Sequence, residues 1–235
     1  MKIPKPIKDC SFGIYGLGLS GISVLKFLKN KNKNKIYTWD DKKNKNNKKK
    51  FNLFKSSLDL VDYIVISPGI NIQKTKFKSE LIRNKKKLIT DLDLFYMQKI
   101  PVKSIAITGT NGKSTVCKLI QHILKTNKLD AQLGGNIGKP ILDLKIKKKS
   151  IVIVEASSFQ LSYAKFLKPN LAAILNISTD HLDWHNTITN YKNSKFKIFS
   201  RQGKNDIALL NNKKLIKLFK KNNYLSKLKT IKKIP

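Results

Sequence analysis

The chain has 235 residues, enough for one large or two small domains, and 40% of them are hydrophobic, too many for a disordered chain. Its formal net charge is +35, yet of 49 basic residues only Arg83 and Arg201 are arginine, the side chain best suited to forked contacts with phosphates and bases. The lysines are spread along the whole chain among asparagine and isoleucine. They read as a compositional bias rather than a nucleic-acid surface, although the basic field helps to attract anionic substrates.

No stretch approaches the roughly 18 apolar residues of a membrane span, so no membrane partner is expected. The N-terminus is basic but has no apolar run behind it, which argues against secretion. Cys10 and Cys117 lie far apart without metal or disulfide spacing and read as free thiols in a reducing cytoplasm.

Short apolar runs alternate with helix-like stretches, the pattern of an α/β chain with parallel sheets. Residues 11–15 predict a strand, followed by a glycine turn and a helix over about 20–28. A second strand at 35–39 ends at Asp40 and Asp41, and the Lys/Asn tract after it shows little regular pattern until Phe51. A third strand at 61–67 stops at Pro68-Gly69. Residues 88–89 lead into a helix over 91–98, with Pro101 just beyond. The domain boundary is expected there, giving units 1–92 and 93–235. The second unit restarts with a strand at 104–108, a glycine loop and a helix to about 126. Strands follow at 150–155, 171–176 and 207–211, then a Lys-rich helical tail that stops at Pro235.

Two glycine loops stand out. Residues 16–21 (GLGLSG) fit G-x-G-x-x-G after a strand and before a helix, with Asp40 some 20 residues on. Alone, this loop leaves a dinucleotide site and a plain strand–helix turn both open. The second loop, at 109–115, is more specific: Gly109, Thr110, Asn111, Gly112, Lys113, Ser114 and Thr115 form a shortened phosphate loop. Bare glycines let successive N–H groups point at ATP phosphates, Lys113 can reach the β- and γ-phosphates, and the Ser114 hydroxyl can meet Mg²⁺. Glu155 ends a buried strand of the same unit and is placed to hold Mg²⁺, unless Ser157 or Ser158 merely caps a helix there. His181 and His185 lie four residues apart among carboxylates in NISTDHLDWH. Zinc is conceivable but lacks a third histidine or a cysteine, whereas His181 beside a second Mg²⁺ or a phosphate suits the loop. The 134–138 stretch (GGNIG) is one more loop where bare backbone can approach a ligand.

In this order and spacing, GLGLSG, SPGI, ITGTNGKST, GGNIG, EASSFQL and NISTDHLDWH resemble the Mur ligase family over residues 12 to about 211, and GGNIG with SSFQL favours the D-glutamate-adding branch. The resemblance implies a Rossmann-like N-terminal domain for a uridine-diphosphate substrate, followed by a P-loop-type α/β central ATPase domain that is incomplete here. It implies Leu19, Ser20, Asp40 and Asp41 near the uracil, Gly69 and Asn136 near the diphosphate and sugar, and Ser157 as a further substrate contact. It also implies ATP and two Mg²⁺ ions, one held by Ser114 and Glu155, the other served by His181 and by Lys195, the lysine the family carbamylates. The implied partners are UDP-N-acetylmuramoyl-L-alanine and D-glutamate, handled by a cytoplasmic monomer with no nucleic acid. Family members have about 200 more residues, so the 235 residues are expected to bind nucleotide weakly without completing ligation. Two other classes stay open: a nicotinamide-dependent oxidoreductase using the first loop, and a charge-driven nucleic-acid-binding module.

Overall fold

The computed structural model describes residues 6–31 and 35–230; the basic N-terminal stretch 1–5 and the closing Pro235 lie outside them. The chain forms two compact units, Met1–Lys99 and Ile100–Pro235.

The first unit holds a four-stranded sheet in the order β2-β1-β3-β4, formed by β1 (Phe12–Tyr15), β2 (Ile36–Trp39), β3 (Tyr63–Ile66) and β4 (Leu88–Ile89). Every pairing is parallel. Strands β1 and β3 are nearly all buried, as expected when helices cover both faces of a parallel sheet. Among the described residues four α-helices connect and flank the strands: α1 (Leu19–Lys31), α2 (Lys48–Leu60), α3 (Lys78–Arg83) and α4 (Asp91–Met97). The sequence shows little regular pattern before Phe51, yet α2 begins at Lys48. The Asn47 side chain accepts the Lys50 N–H at 2.8 Å, and Phe54, Ser57 and Leu58 bury one face, so cap and core override the lysine run. Phe77 is fully buried where the rings of Tyr15, Trp39, Phe51 and Phe54 meet it, with centroids 4.8–5.8 Å away.

The second unit holds a six-stranded, wholly parallel sheet in the order β10-β9-β8-β5-β7-β6. Its strands are β5 (Lys103–Thr108), β6 (Ala131–Gly135), β7 (Ile151–Glu155), β8 (Leu171–Ile174), β9 (Ile207–Leu210) and β10 (Lys227–Lys229). The helices are α5 (Lys113–Thr126), α6 (Ser158–Tyr163), α7 (Leu182–His185), α8 (Ile188–Phe196) and α9 (Lys213–Lys221). Two expectations need correction. The Lys-rich tail is not helical throughout, because β10 pairs with β9 and Lys227 N–H bonds the Asp206 carbonyl. The 134–138 stretch is not all loop, because its first two glycines complete β6. A side chain on Gly135 (φ 112°) would meet the Glu155 carbonyl oxygen at 2.4 Å, so glycine lets β6 run beside β7.

In both sheets the strand that carries a glycine loop is central: β1 lies between β2 and β3, and β5 between β8 and β7. Chain crossovers diverge from such strands, and the crevice beyond their C-terminal ends is where open α/β sheets bind ligands. Among the described residues no helix is long and apolar enough to cross a membrane.

Candidate functional site

The phosphate loop leaves β5 and enters α5 through Gly112, whose left-handed backbone (φ 79°) starts a 14-residue helix that carries no side-chain cap. The first N–H groups of that helix, around Lys113, Ser114 and Thr115, are thus available to an anion at its positive end. The Lys113 ammonium donates to the carbonyls of Gly109 (3.0 Å) and Thr110 (2.8 Å). From α8 the Lys195 ammonium donates to the same Gly109 carbonyl at 2.7 Å. Lys195 is 1% exposed and lies 4.5 Å from the centre of the Tyr191 ring. Burial first, then the Lys113 charge, lowers its pKa to about 7 against the pull of Asp180. Among the described residues no carboxylate lies within ion-pair distance of either lysine. The Lys113 and Lys195 amines converge on one carbonyl.

Glu155 ends β7 and is 1% exposed. Its carboxylate accepts from the Ser114 hydroxyl and from the Asn136 amide, each at 2.8 Å. Both donors are neutral, so the buried carboxylate has no cationic partner among the described residues. The Ser114 hydroxyl and the Glu155 carboxylate, both hard oxygen ligands, fit Mg²⁺, which takes one or two carboxylates and completes its shell with water and phosphate oxygens. No group of three or more His, Cys, Asp or Glu that could hold a metal by itself occurs among the described residues.

Beyond β8, His181 sits just before α7 with a left-handed backbone (φ 52°). Its exposed ring lies 4.8 Å from Phe159 and 6.2 Å from Tyr191, and its Nδ1 is 3.5 Å from Asp180. Tyr191 ties this corner to the loop, its hydroxyl 3.0 Å from Thr110 Oγ1. His185 is buried, stacks on Phe159 with the rings 8° apart, and its Nε2 lies 3.0 Å from the Ser158 hydroxyl. Burial, helped by nearby His181 and Lys195, lowers the His185 pKa from its ordinary 6.5 to about 4. The folded chain keeps this ring neutral where the unfolded chain protonates it. Stability is therefore expected to fall as pH drops from 6.5 to about 4, by up to about 3 kcal/mol. Urea unfolding across that range, compared with His185→Gln, measures the contribution as a flatter pH profile in the variant.

In the first unit the glycine loop is bound to the turn after β2. Asp40 accepts the N–H of Leu17 at 2.7 Å and those of Lys42 and Lys43 at 3.0 Å. Desolvation works against it, but these backbone bonds hold its carboxyl below the usual range. Asp41 spends both oxygens, one on the Tyr15 hydroxyl (2.6 Å) and one on the Trp39 indole (2.9 Å). Leu19 is 83% exposed at the mouth of the loop, with half-buried Ser20 beside it. Gly69 lies in the turn after β3 with nothing within 4 Å of where a side chain would begin.

The structure brings Lys113, Lys195 and the loop together at Gly109, and Ser114, Asn136 and Glu155 together at the carboxylate. Thr110 and Asn111 behave differently from expectation. Their N–H groups do not point inward but bond the side-chain oxygen of Asn176, at 3.1 and 2.9 Å. Ser157 caps α6 and exchanges hydrogen bonds with Gln160, so its hydroxyl is committed locally. Sequence reasoning missed Asn176, Tyr191 and the Asn136–Glu155 contact. The placement of Asn176 directly after a strand, two residues before the serine whose backbone meets Thr110, was the available signal.

The sequence matches the Mur ligase middle domain over residues 107–233. With a parallel sheet, a phosphate loop on its central strand and a carboxylate on the next, the chain belongs to the Mur ligase family. It is similar to UDP-N-acetylmuramoylalanine--D-glutamate ligase of Aquifex aeolicus (strain VF5), 38% identical over 201 residues that cover 85% of this chain and 46% of the relative. The protein of the same name from Rickettsia prowazekii (strain Madrid E) is 40% identical over 213 residues, 87% of this chain and 47% of the relative. The chain thus spans about half the length of the curated relatives it matches. Its fold is like that of the UDP-N-acetylmuramate:L-alanyl-gamma-D-glutamyl-meso-diaminopimelate ligase from Neisseria meningitides, with TM-score 0.53 and 14% identity, covering 94% of this chain and 77% of that one.

Proposed function

We propose that the chain provides the nucleotide-sugar-binding and ATP-phosphate-binding parts of a cytoplasmic, monomeric ligase. That ligase joins D-glutamate to UDP-N-acetylmuramoyl-L-alanine during peptidoglycan precursor synthesis. One observation carries the reading: Lys113 and Lys195 converge on the Gly109 carbonyl at an uncapped helix N-terminus. The Lys113 cation and the open helix N-terminus both favour an anion there, and ATP phosphates meet that need.

In the proposed reaction the alanine carboxylate attacks the γ-phosphate of ATP, and ADP leaves an acyl phosphate. The D-glutamate amine then attacks the acyl carbon, and phosphate departs from the tetrahedral intermediate. Lys113 would follow the charge on the transferring phosphoryl group. Ser114 and Glu155 would hold one Mg²⁺ and His181 with a carbamylated Lys195 the second, neutralising charge on the phosphate oxygens. A pKa near 7 leaves Lys195 much of the neutral amine that attack on CO₂ requires. In the first unit Leu19, Ser20 and Gly69 offer the open surface for the uridine diphosphate end, while Asp40 and Asp41 shape the loop behind them. Asn136 and Ser157 would serve the substrate through the groups they orient, Glu155 and the start of α6.

Calorimetric titration with ATP tests the reading. The wild-type chain is expected to bind ATP with Mg²⁺ and to lose most of that affinity in chelator. Glu155→Gln keeps the shape but removes the charge, so it is expected to bind MgATP at least tenfold more weakly and to lose the Mg²⁺ dependence. Wild-type binding that ignores Mg²⁺ sinks the metal assignment, and an absence of binding sinks the reading as a whole.

A further inference from the structure

Asn176 follows β8 and lies against the first half of the phosphate loop. Its side-chain oxygen accepts the N–H groups of Thr110 (3.1 Å) and Asn111 (2.9 Å), and its amide nitrogen donates to the Asn111 carbonyl (3.1 Å). Its own carbonyl also accepts the Thr110 N–H at 3.0 Å, so that donor is shared between two oxygens of one residue. The next turn of chain repeats the grip, because Ser178 N–H bonds Thr110 Oγ1 at 3.0 Å. Gly109 completes the fit: a side chain there would meet Leu175 Cβ at 3.2 Å.

A carboxamide on a single methylene suits this place. It offers an oxygen with two lone pairs and a nitrogen with two donors, so it can take two N–H groups and still reach a carbonyl. Aspartate lacks the donor, serine lacks the second acceptor arm, and glutamine is one methylene too long. The consequence is a division of labour within the loop. Donors of Thr110 and Asn111 are consumed by Asn176, and those at the uncapped start of α5 stay open.

We propose that Asn176 is a positioning residue of the phosphate site: it fixes the 109–111 half of the loop so that the 112–115 half and the Lys113 ammonium meet the ATP phosphates. This rests on the phosphate-site reading above. Fixing the loop before ATP arrives lowers the ordering cost of binding, so the effect falls on affinity more than on fold stability.

The test uses the 235-residue chain, with MgATP titration, amide hydrogen exchange and urea unfolding on wild type, Asn176→Ala and Asn176→Asp. Asn176→Ala is expected to weaken MgATP about tenfold, to expose the Thr110 and Asn111 amides to fast exchange, and to leave the urea midpoint nearly unchanged. Asn176→Asp keeps the acceptor but puts a negative charge beside the phosphates. It is expected to bind more weakly than Asn176→Ala at about 50 mM salt, the gap narrowing at about 500 mM. A merely structural residue would shift the urea midpoint and show no such salt dependence. MgATP binding by Asn176→Ala within twofold of wild type, or unchanged protection of both amides, overturns the inference while leaving the phosphate site intact. Failure of the wild type itself to bind MgATP overturns the phosphate-site reading, and amide exchange then still decides whether Asn176 holds the loop.

Discussion

Lys113→Ala is expected to weaken MgATP binding by the 235-residue chain about a hundredfold, the largest loss of affinity from any single side chain in the site. The ammonium donates to two loop carbonyls, at 3.0 and 2.8 Å, and so lies where the loop closes. A charge-assisted hydrogen bond contributes about 1.5–3 kcal/mol, and loss of the upper value is a little over a hundredfold in affinity. Alanine removes the donor and the charge but leaves the helix a good former at that position. The same substitution has a second, independent signature. The Lys113 charge helps to lower the Lys195 pKa, so Lys195 is expected to titrate above about 7 once it is gone. Calorimetry measures the first effect and lysine side-chain NMR the second. Lys125→Ala, near the far end of α5, serves as the control and is expected to bind within twofold of wild type. A Lys113→Ala chain that does the same removes this lysine from the phosphate site.

Gly21→Val is expected to unfold the first unit. A side chain at Gly21 would begin 1.9 Å from the Gly16 carbonyl oxygen and 2.9 Å from the carbon behind it, both backbone atoms that cannot step aside. Strand β1 and helix α1 are joined so tightly there that no rotamer relieves the clash, and the cost is expected to exceed about 3 kcal/mol. Gly18 provides the contrast. It is the middle glycine of the same motif, yet nothing stands within 4 Å of where its side chain would begin. Gly18→Ala is therefore expected to melt like wild type. Circular dichroism melts of the two variants separate the cases, and a Gly21→Val chain with wild-type melting would contradict the packing around the loop.

These glycines show what a motif hides. The G-x-G-x-x-G pattern presents three equal glycines and an acidic residue waiting for a ribose. In three dimensions Gly21 lets α1 pack against the end of β1, Gly16 takes a left-handed backbone (φ 92°) against Ser67 and Ile70, and Asp40 is turned onto the Leu17 N–H of the loop itself. The dinucleotide reading loses its most specific partner, because that carboxylate already accepts three backbone donors. Lys195 makes the opposite point. Nothing in the sequence separates it from the other lysines of a chain this basic, and only the resemblance to a family singled it out. The fold buries it to 1% and aims it at the Gly109 carbonyl, a place an ordinary surface lysine does not occupy.

The sequence by itself determined what local chemistry can determine. Buried apolar runs with turns between them specify parallel strands, a glycine loop that ends in Lys-Ser between a strand and a helix marks a candidate phosphate loop, and Glu155 at the end of such a strand marks a carboxylate at the C-terminal end of the sheet. Each depends on residues close together in the chain. The tertiary structure decided which distant groups share a loop. Asn176 reaches Thr110 across 66 residues, Lys195 reaches Gly109 across 86, and Asn136 meets Glu155 because β6 and β7 run side by side. Polar contacts of that range leave no periodicity in the sequence. They exist because sheet register brings the ends of β5, β7 and β8 to one edge, where short side chains can finish the work.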